Sequence, residues 1–301
     1  MEAGEGTDGG LNRTLRGHTD DYFVIFKDVM MNVSGAKLIL ASILLLILVI
    51  LPGCATIPNV ATEEFNNRRV EYSLIRNGGA TVVFENGLDG KMNWWSKVIP
   101  EISKDATTFA YNRPGYGRSD SMSTPRDGLH IVEELRTLLK RNGLEPPYVL
   151  VGHSFGGLLM QLFAREYPDE VRGLVLVDST HPAQFRDKGS IENWPGWFRL
   201  LFHFYLSPAA KQEMDLINDT GGQVLTLPVF SGKPIIVLSA LQPMHEKGAL
   251  ADDANEKRKD IARLYPGSVQ IWVDSGHGIP QEKPEAVIAA IRQVLPGKKL
   301  N

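Results

Sequence analysis

The sequence predicts an α/β protein built on a doubly wound, mostly parallel sheet, with a small helical cap and an N-terminal membrane-anchor helix. Three observations lead there. From Val70 onward, short β-rich apolar runs alternate with helical stretches. One aromatic-rich interval, 181–232, carries no strand signal. A charge-free apolar run at 38–51 stands ahead of the first strand.

The N-terminal segment reads as separate from the folded domain. LILASILLLILVIL (38–51) is 14 residues long. A spanning helix needs about 20 residues, and a signal-peptide core about 7–15. Residues 30–54 are therefore expected to be a signal peptide or transmembrane anchor, with the true start at Met30 or Met31. Cys54 follows Leu51-Pro52-Gly53, which resembles a bacterial lipoprotein box, although Pro52 departs from its usual pattern. A plain signal anchor with Cys54 as a bystander is the alternative, and both tether the protein to a membrane. Residues 1–29, rich in Gly, Asp and Glu, are expected to be a disordered tail, and 55–67 a linker. The folded domain is expected over 68–299 and to lie outside the cytoplasm.

Within it, strands are expected at 80–85, 106–111, 148–153, 173–178, 234–239 and 268–273. Each is almost continuously apolar, as parallel strands covered on both faces are. Helices are expected at Trp94–Ser103, Leu129–Arg141, Gly156–Tyr167, Asn255–Leu264 and Pro284–Val294. The interval 181–232 is too long for an ordinary connection and is read as a cap, with Trp194, Trp197 and Phe198 as substrate-binding candidates.

Composition narrows the function classes. The chain of 301 residues is 43% hydrophobic and 22% charged, enough for a real core. Its net charge is −3 with dispersed Lys and Arg, so nothing points to nucleic acid. A single cysteine excludes an internal disulfide and a multi-cysteine metal site.

The chemistry-bearing motif is Gly152-His153-Ser154-Phe155-Gly156, at the end of an expected strand and the start of an expected helix. A serine there sits on a tight turn that needs small residues two positions to either side. Backbone N–H groups at the helix start then face any negative charge developing nearby. GHSFGG together with YNRPGYGRSD (111–120) resembles the α/β-hydrolase superfamily over about residues 68–298. Asn112 stands where that family usually has Asp, and the turn is expected to be structural, with no chemical role for Arg113.

The resemblance implies Ser154 as nucleophile and His277, past the last strand, as base. It also implies an oxyanion hole from the backbone N–H groups of Phe155 and Leu88. The triad acid has two candidates: Asp178, closing an earlier strand, is taken over Glu246. The expected reaction is acyl transfer on a small hydrophobic ester, with no metal or organic cofactor. Amide, thioester or C–C bond cleavage, or a non-catalytic tethered binding protein on the same scaffold, are the alternatives.

Overall fold

The structure, a computed structural model, describes residues 57–241 and 248–296. The expected tail at 1–29 and anchor at 30–54 lie outside the described residues, as does Glu246. Among the described residues, no helix is long and apolar enough to cross a membrane.

Eight strands form one sheet in the order β1-β2-β4-β3-β5-β6-β7-β8. They are β1 (Val60–Phe65), β2 (Arg68–Ile75), β3 (Thr81–Glu85), β4 (Thr107–Tyr111), β5 (Tyr148–His153), β6 (Val171–Val177), β7 (Ile235–Ala240) and β8 (Val269–Val273). β3 through β8 pair in parallel. β3 and β5 are buried along their whole length, so polar alternation is absent and apolar runs mark them.

The linker expected at 55–67 is corrected by β1, which pairs antiparallel with β2. Asn66 and Asn67 both adopt positive φ, 50° and 59°, the conformation a two-residue hairpin turn of matching twist requires. β1 is the sheet's edge strand and β2 lies next to it, and both are rich in charge, so neither carries the apolar signature of the core.

The helices are α1 (Ile99–Ile102), α2 (Gly128–Arg141), α3 (Phe155–Glu166), α4 (Gly196–Tyr205), α5 (Pro208–Asp215), α6 (Ile217–Thr226), α7 (Ala249–Asp260), α8 (Ile279–Glu282) and α9 (Pro284–Val294). The single helix expected over Trp94–Ser103 is broken into a 3-10 turn, Met92–Trp95, and α1. Pro100 accounts for the break: it lacks an N–H and fits only the first turn of a helix. α7 starts earlier than expected and gives way to a 3-10 turn at Ile261–Leu264.

Two apolar layers sandwich the sheet. On one face Ile131, Leu135 and Leu139 of α2 and Leu159 and Phe163 of α3 join Val83, Leu150 and Leu174. On the other, Val287 and Ile291 of α9 join Ile99 and Ile102 beneath Val82, Val149 and Val175. The interval 181–232 supplies α4, α5 and α6 between β6 and β7.

Candidate active site

The site is assembled at the carboxyl ends of β3, β5, β6 and β8. Ser154 links β5 to α3 with φ 55° and ψ −123°, a conformation that costs a non-glycine residue on the order of 1–3 kcal/mol. Surrounding hydrogen bonds hold it there: its N–H donates to Val177 O at 3.1 Å, and its carbonyl accepts from Thr180 N at 2.9 Å. The flanking glycines answer to close approach. A Cβ on Gly156 would stand 2.4 Å from Asn86 O, and one on Gly152 2.5 Å from Gly156 O.

His277 lies on the loop between β8 and α8, with its side chain 47% exposed. Glu282 ties that loop down, accepting from Gly276 N at 2.8 Å and Ser275 Oγ at 2.9 Å. His277 Nδ1 is 2.6 Å from Asp178 Oδ2. An ionised carboxylate can only accept, so Nδ1 is the donor, and in the neutral tautomer this leaves the lone pair on Nε2. Asp178 itself sits at φ 39°, its N–H donating to Leu238 O at 2.7 Å. Its Oδ1 accepts from Ala240 N at 3.1 Å and from Arg258 Nε at 2.7 Å. Burial alone would push the Asp178 carboxyl up. The hydrogen bond and charge of His277, with Arg258, outweigh it and hold the group well below the usual carboxylate range.

His153 fastens the histidine loop to the elbow. Its Nε2–H donates to the carbonyl of His277 at 2.8 Å, and the two rings lie 4.7 Å apart. The other face of His153 stacks on Trp94 at 5.4 Å. Burial first, then the neighbouring charge of His277, holds His153 down at about 3, so it stays neutral and keeps this single tautomer. Among the described residues no hydrogen bond joins the Ser154 hydroxyl directly to His277. It is His153, the chain neighbour of Ser154, that contacts His277.

The loop after β3 approaches from the other side. A Cβ on Gly87 would lie 3.2 Å from Ser154 Cβ, which sets the Gly87–Leu88 peptide beside the serine. Neither Leu88 N–H nor Phe155 N–H has a hydrogen-bond acceptor among the described residues. Asn112, the departure from the family pattern, and Asn86 both work as amides. Asn86 Nδ2 donates to Tyr111 O at 2.8 Å. Asn112 accepts from Met92 N at 2.8 Å and donates to Glu71 Oε2 at 2.6 Å. An aspartate at 112 could not donate and would face a second carboxylate.

Arg113, expected to be structural with no chemical role, is fully buried beneath this loop. It pairs with Glu85 at 2.6 Å and with Glu213 of α5 at 2.9 Å. Burial works against its charge, and these two carboxylates more than offset that, raising the guanidinium further above its already high value. Arg258 and Trp94 also escaped the sequence reading. Both reach the site across long sequence separations, and no local motif marks such a contact.

The cap candidates gather elsewhere. Trp194 packs against Phe198 at 5.1 Å and Phe202 at 5.4 Å, and Trp197 against Phe198 at 5.7 Å. None of these ring contacts involves Ser154 or His277. Trp194, Leu200, Phe202, Leu206 and Met214 line an open groove of about 410 Å³, whose wall also includes the polar Arg199, His203, Lys211 and Asp215. Leu206 also packs with Leu88 against Tyr116, Ala209 and Ala210, so one wall of the groove touches the loop after β3.

Comparison with known proteins agrees with this architecture. A family model described as the alpha/beta hydrolase fold matches residues 80–215. An uncharacterized Bacillus subtilis protein, YqjL, is 34% identical over 100 residues, 33% of this chain and 40% of its own length. Human (lyso)-N-acylphosphatidylethanolamine lipase is 29% identical over 135 residues, 43% of this chain and 39% of its own. The matches thus span about two-fifths of each relative. The crystal structure of Cfl2 from Burkholderia cenocepacia superposes with a TM-score of 0.60 at 19% identity, covering 78% of this chain and 95% of that one. The chain has the α/β-hydrolase fold, and its sequence matches that family's model over residues 80–215.

Proposed function

We propose that this protein is a serine hydrolase that cleaves a hydrophobic carboxylic ester through an acyl-enzyme. Ser154 is the nucleophile, His277 the base and Asp178 the acid. The observation that carries the reading is the Asp178–His277 hydrogen bond at 2.6 Å on a loop pinned beside a strained serine.

His277 Nε2, with its lone pair free, takes the proton from the Ser154 hydroxyl as the oxygen attacks the ester carbonyl. Asp178 stays ionised and stabilises the imidazolium. Negative charge on the carbonyl oxygen is received by the unpaired N–H groups of Leu88 and Phe155 at the positive end of α3. The imidazolium then protonates the leaving alcohol, and water, activated by the same nitrogen, releases the acid. The apolar groove beside Leu88 supports a hydrophobic acyl group. The lipase named among the relatives supports an ester of lipid character.

A fluorophosphonate probe tests the chemistry. The native chain labels at Ser154, and Ser154→Ala does not; a native chain that stays unlabelled beside a reactive control hydrolase removes the enzyme reading. A panel of esters of rising acyl length tests the substrate class, and a preference for acetyl over longer chains would remove the hydrophobic assignment.

The apolar run at 38–51 supports attachment to a membrane, with the catalytic domain outside the cytoplasm. The full chain then stays with membranes through alkaline carbonate extraction, whereas residues 55–301 alone do not. Release of the full chain would refute attachment.

A further inference from the structure

We propose that Arg113 is a positioning residue that sets the rotation and donor strength of the Leu88 peptide, and that Glu213 links this setting to the cap. The proposal rests on reading Ser154 as the nucleophile and Leu88 N–H as an oxyanion donor.

The carbonyl of Gly87 and the N–H of Leu88 belong to one peptide unit. A trans peptide is planar and its C=O and N–H point in opposite directions, so holding one end aims the other. Arg113 Nη2 donates to Gly87 O at 2.8 Å, and Nη1 donates to Asn86 O at 2.7 Å. The guanidinium thus grips two successive carbonyls of the loop from below and turns the Leu88 N–H away from itself. A charged donor on the carbonyl also polarises the peptide and makes its N–H a stronger donor. The same guanidinium lies 5.4 Å from the ring of Phe155, whose N–H is the second oxyanion donor.

All five donor sites of Arg113 are used. Nε and Nη2 reach Glu213 Oε1 and Oε2 at 2.9 and 3.0 Å, and Nη1 also reaches Glu85 Oε1 at 2.6 Å. Tyr116 donates to Glu213 Oε2 at 2.6 Å. Lysine has three donors and no planar fork, so it cannot reproduce this pattern. Two of the five acceptors come from α5, which makes the placement of the cap part of what orients the loop.

The experiment measures turnover per active site in the full chain, with sites counted by fluorophosphonate titration. It also measures affinity for a trifluoromethyl ketone, which forms a hemiketal oxyanion on a catalytic serine. Arg113→Lys is expected to lower kcat per titrated site about 10²-fold with KM changed less than about threefold, and ketone affinity falls in step with kcat/KM. Glu213→Gln follows the same pattern at about tenfold. Should Arg113→Lys yield no folded protein, Glu213→Gln and Tyr116→Phe decide by the same readouts. Unchanged turnover per site and unchanged ketone affinity, even with fewer titratable sites, would reduce the cluster to a folding element and overturn the proposal. A native chain that neither labels nor turns over would instead sink the reading of the site, and this proposal with it.

Discussion

The floor of the site and its cap are built on opposite terms. On the floor, Ser154 and Asp178 are fixed by backbone hydrogen bonds to strand ends, the Gly87–Leu88 peptide is held by Gly90 N–H and the Arg113 side chain, and each sits on or beside a residue in an unusual conformation. In the cap, α4 turns Trp197, Leu200, Phe204 and Tyr205 outward, with Phe204 74% exposed. Strain is tolerable only where the surroundings determine it from several sides, and the strand ends do that for Ser154 and Asp178. Recognition of an apolar group asks less of geometry and can be left to a helix that packs loosely. The difference predicts that damage to the floor is read in turnover, while damage to the cap is read in selectivity.

Removing the floor's own groups has the largest effect. Ser154→Ala should lower ester turnover by a factor on the order of 10⁶, and Asp178→Asn by ~10⁴, because the amide no longer fixes the His277 tautomer. Burst kinetics on an activated ester check both, and an Asp178→Asn enzyme within about tenfold of native would reassign the acid.

Next comes packing beneath the elbow. Gly156→Ala sets a methyl against two backbone carbonyls, Asn86 O at 2.4 Å and Glu85 O at 2.5 Å, neither of which can swing aside as a side chain would. The substitution should cost about 3 kcal/mol in urea unfolding and depress turnover as the loop after β3 is displaced. A cost under about 1 kcal/mol would show the elbow to be looser than its hydrogen bonds suggest.

How far the sequence could be read follows the same division. The inner strands announce themselves because both faces are covered, leaving runs such as Tyr148–His153 with no polar alternation. Ser154, His277 and Asp178 stand out in the sequence because each closes or follows an expected strand, and the fold brings His277 and Asp178 within hydrogen-bond distance. The β1–β2 hairpin was hidden because its exposed, charged residues resemble those of a linker, and only Asn66-Asn67 hinted at a turn. Arg113 was visible in YNRPGYGRSD, but its purpose depends on Glu213, 100 positions away. Arg258 was invisible for the same reason, sitting on an otherwise unremarkable charged helix, 80 positions from Asp178. Local pattern shows where backbone must be, and only the fold shows which buried charges meet.

A subtler test of the floor uses acid. The folded value of His153, about 3, lies below its ordinary 6.5, so the unfolded chain binds a proton that the native state refuses. Stability is therefore unaffected by this group above that ordinary value and falls as pH drops from about 6.5 toward about 3, by roughly 1.4 kcal/mol per unit. His181, lowered first by burial, contributes in the same sense. Between pH 6.5 and 5, His153→Gln should remove about 2 kcal/mol of this acid sensitivity in denaturant titrations. An identical slope in the variant would mean that His153 is protonated without cost.

The smallest effect is expected on the outer face of α4. Phe204→Ser and Tyr205→Ser replace side chains that already face water, so each should shift unfolding free energy by no more than about 0.5 kcal/mol. Trp194→Ala, at the centre of the aromatic cluster, should cost about 3 kcal/mol. It should also flatten the dependence of kcat/KM on acyl length, because the groove loses one wall while Ser154 and His277 keep theirs. If Phe204→Ser cost more than about 1 kcal/mol, the face would be covered in solution, and the cap would share the floor's rigidity after all.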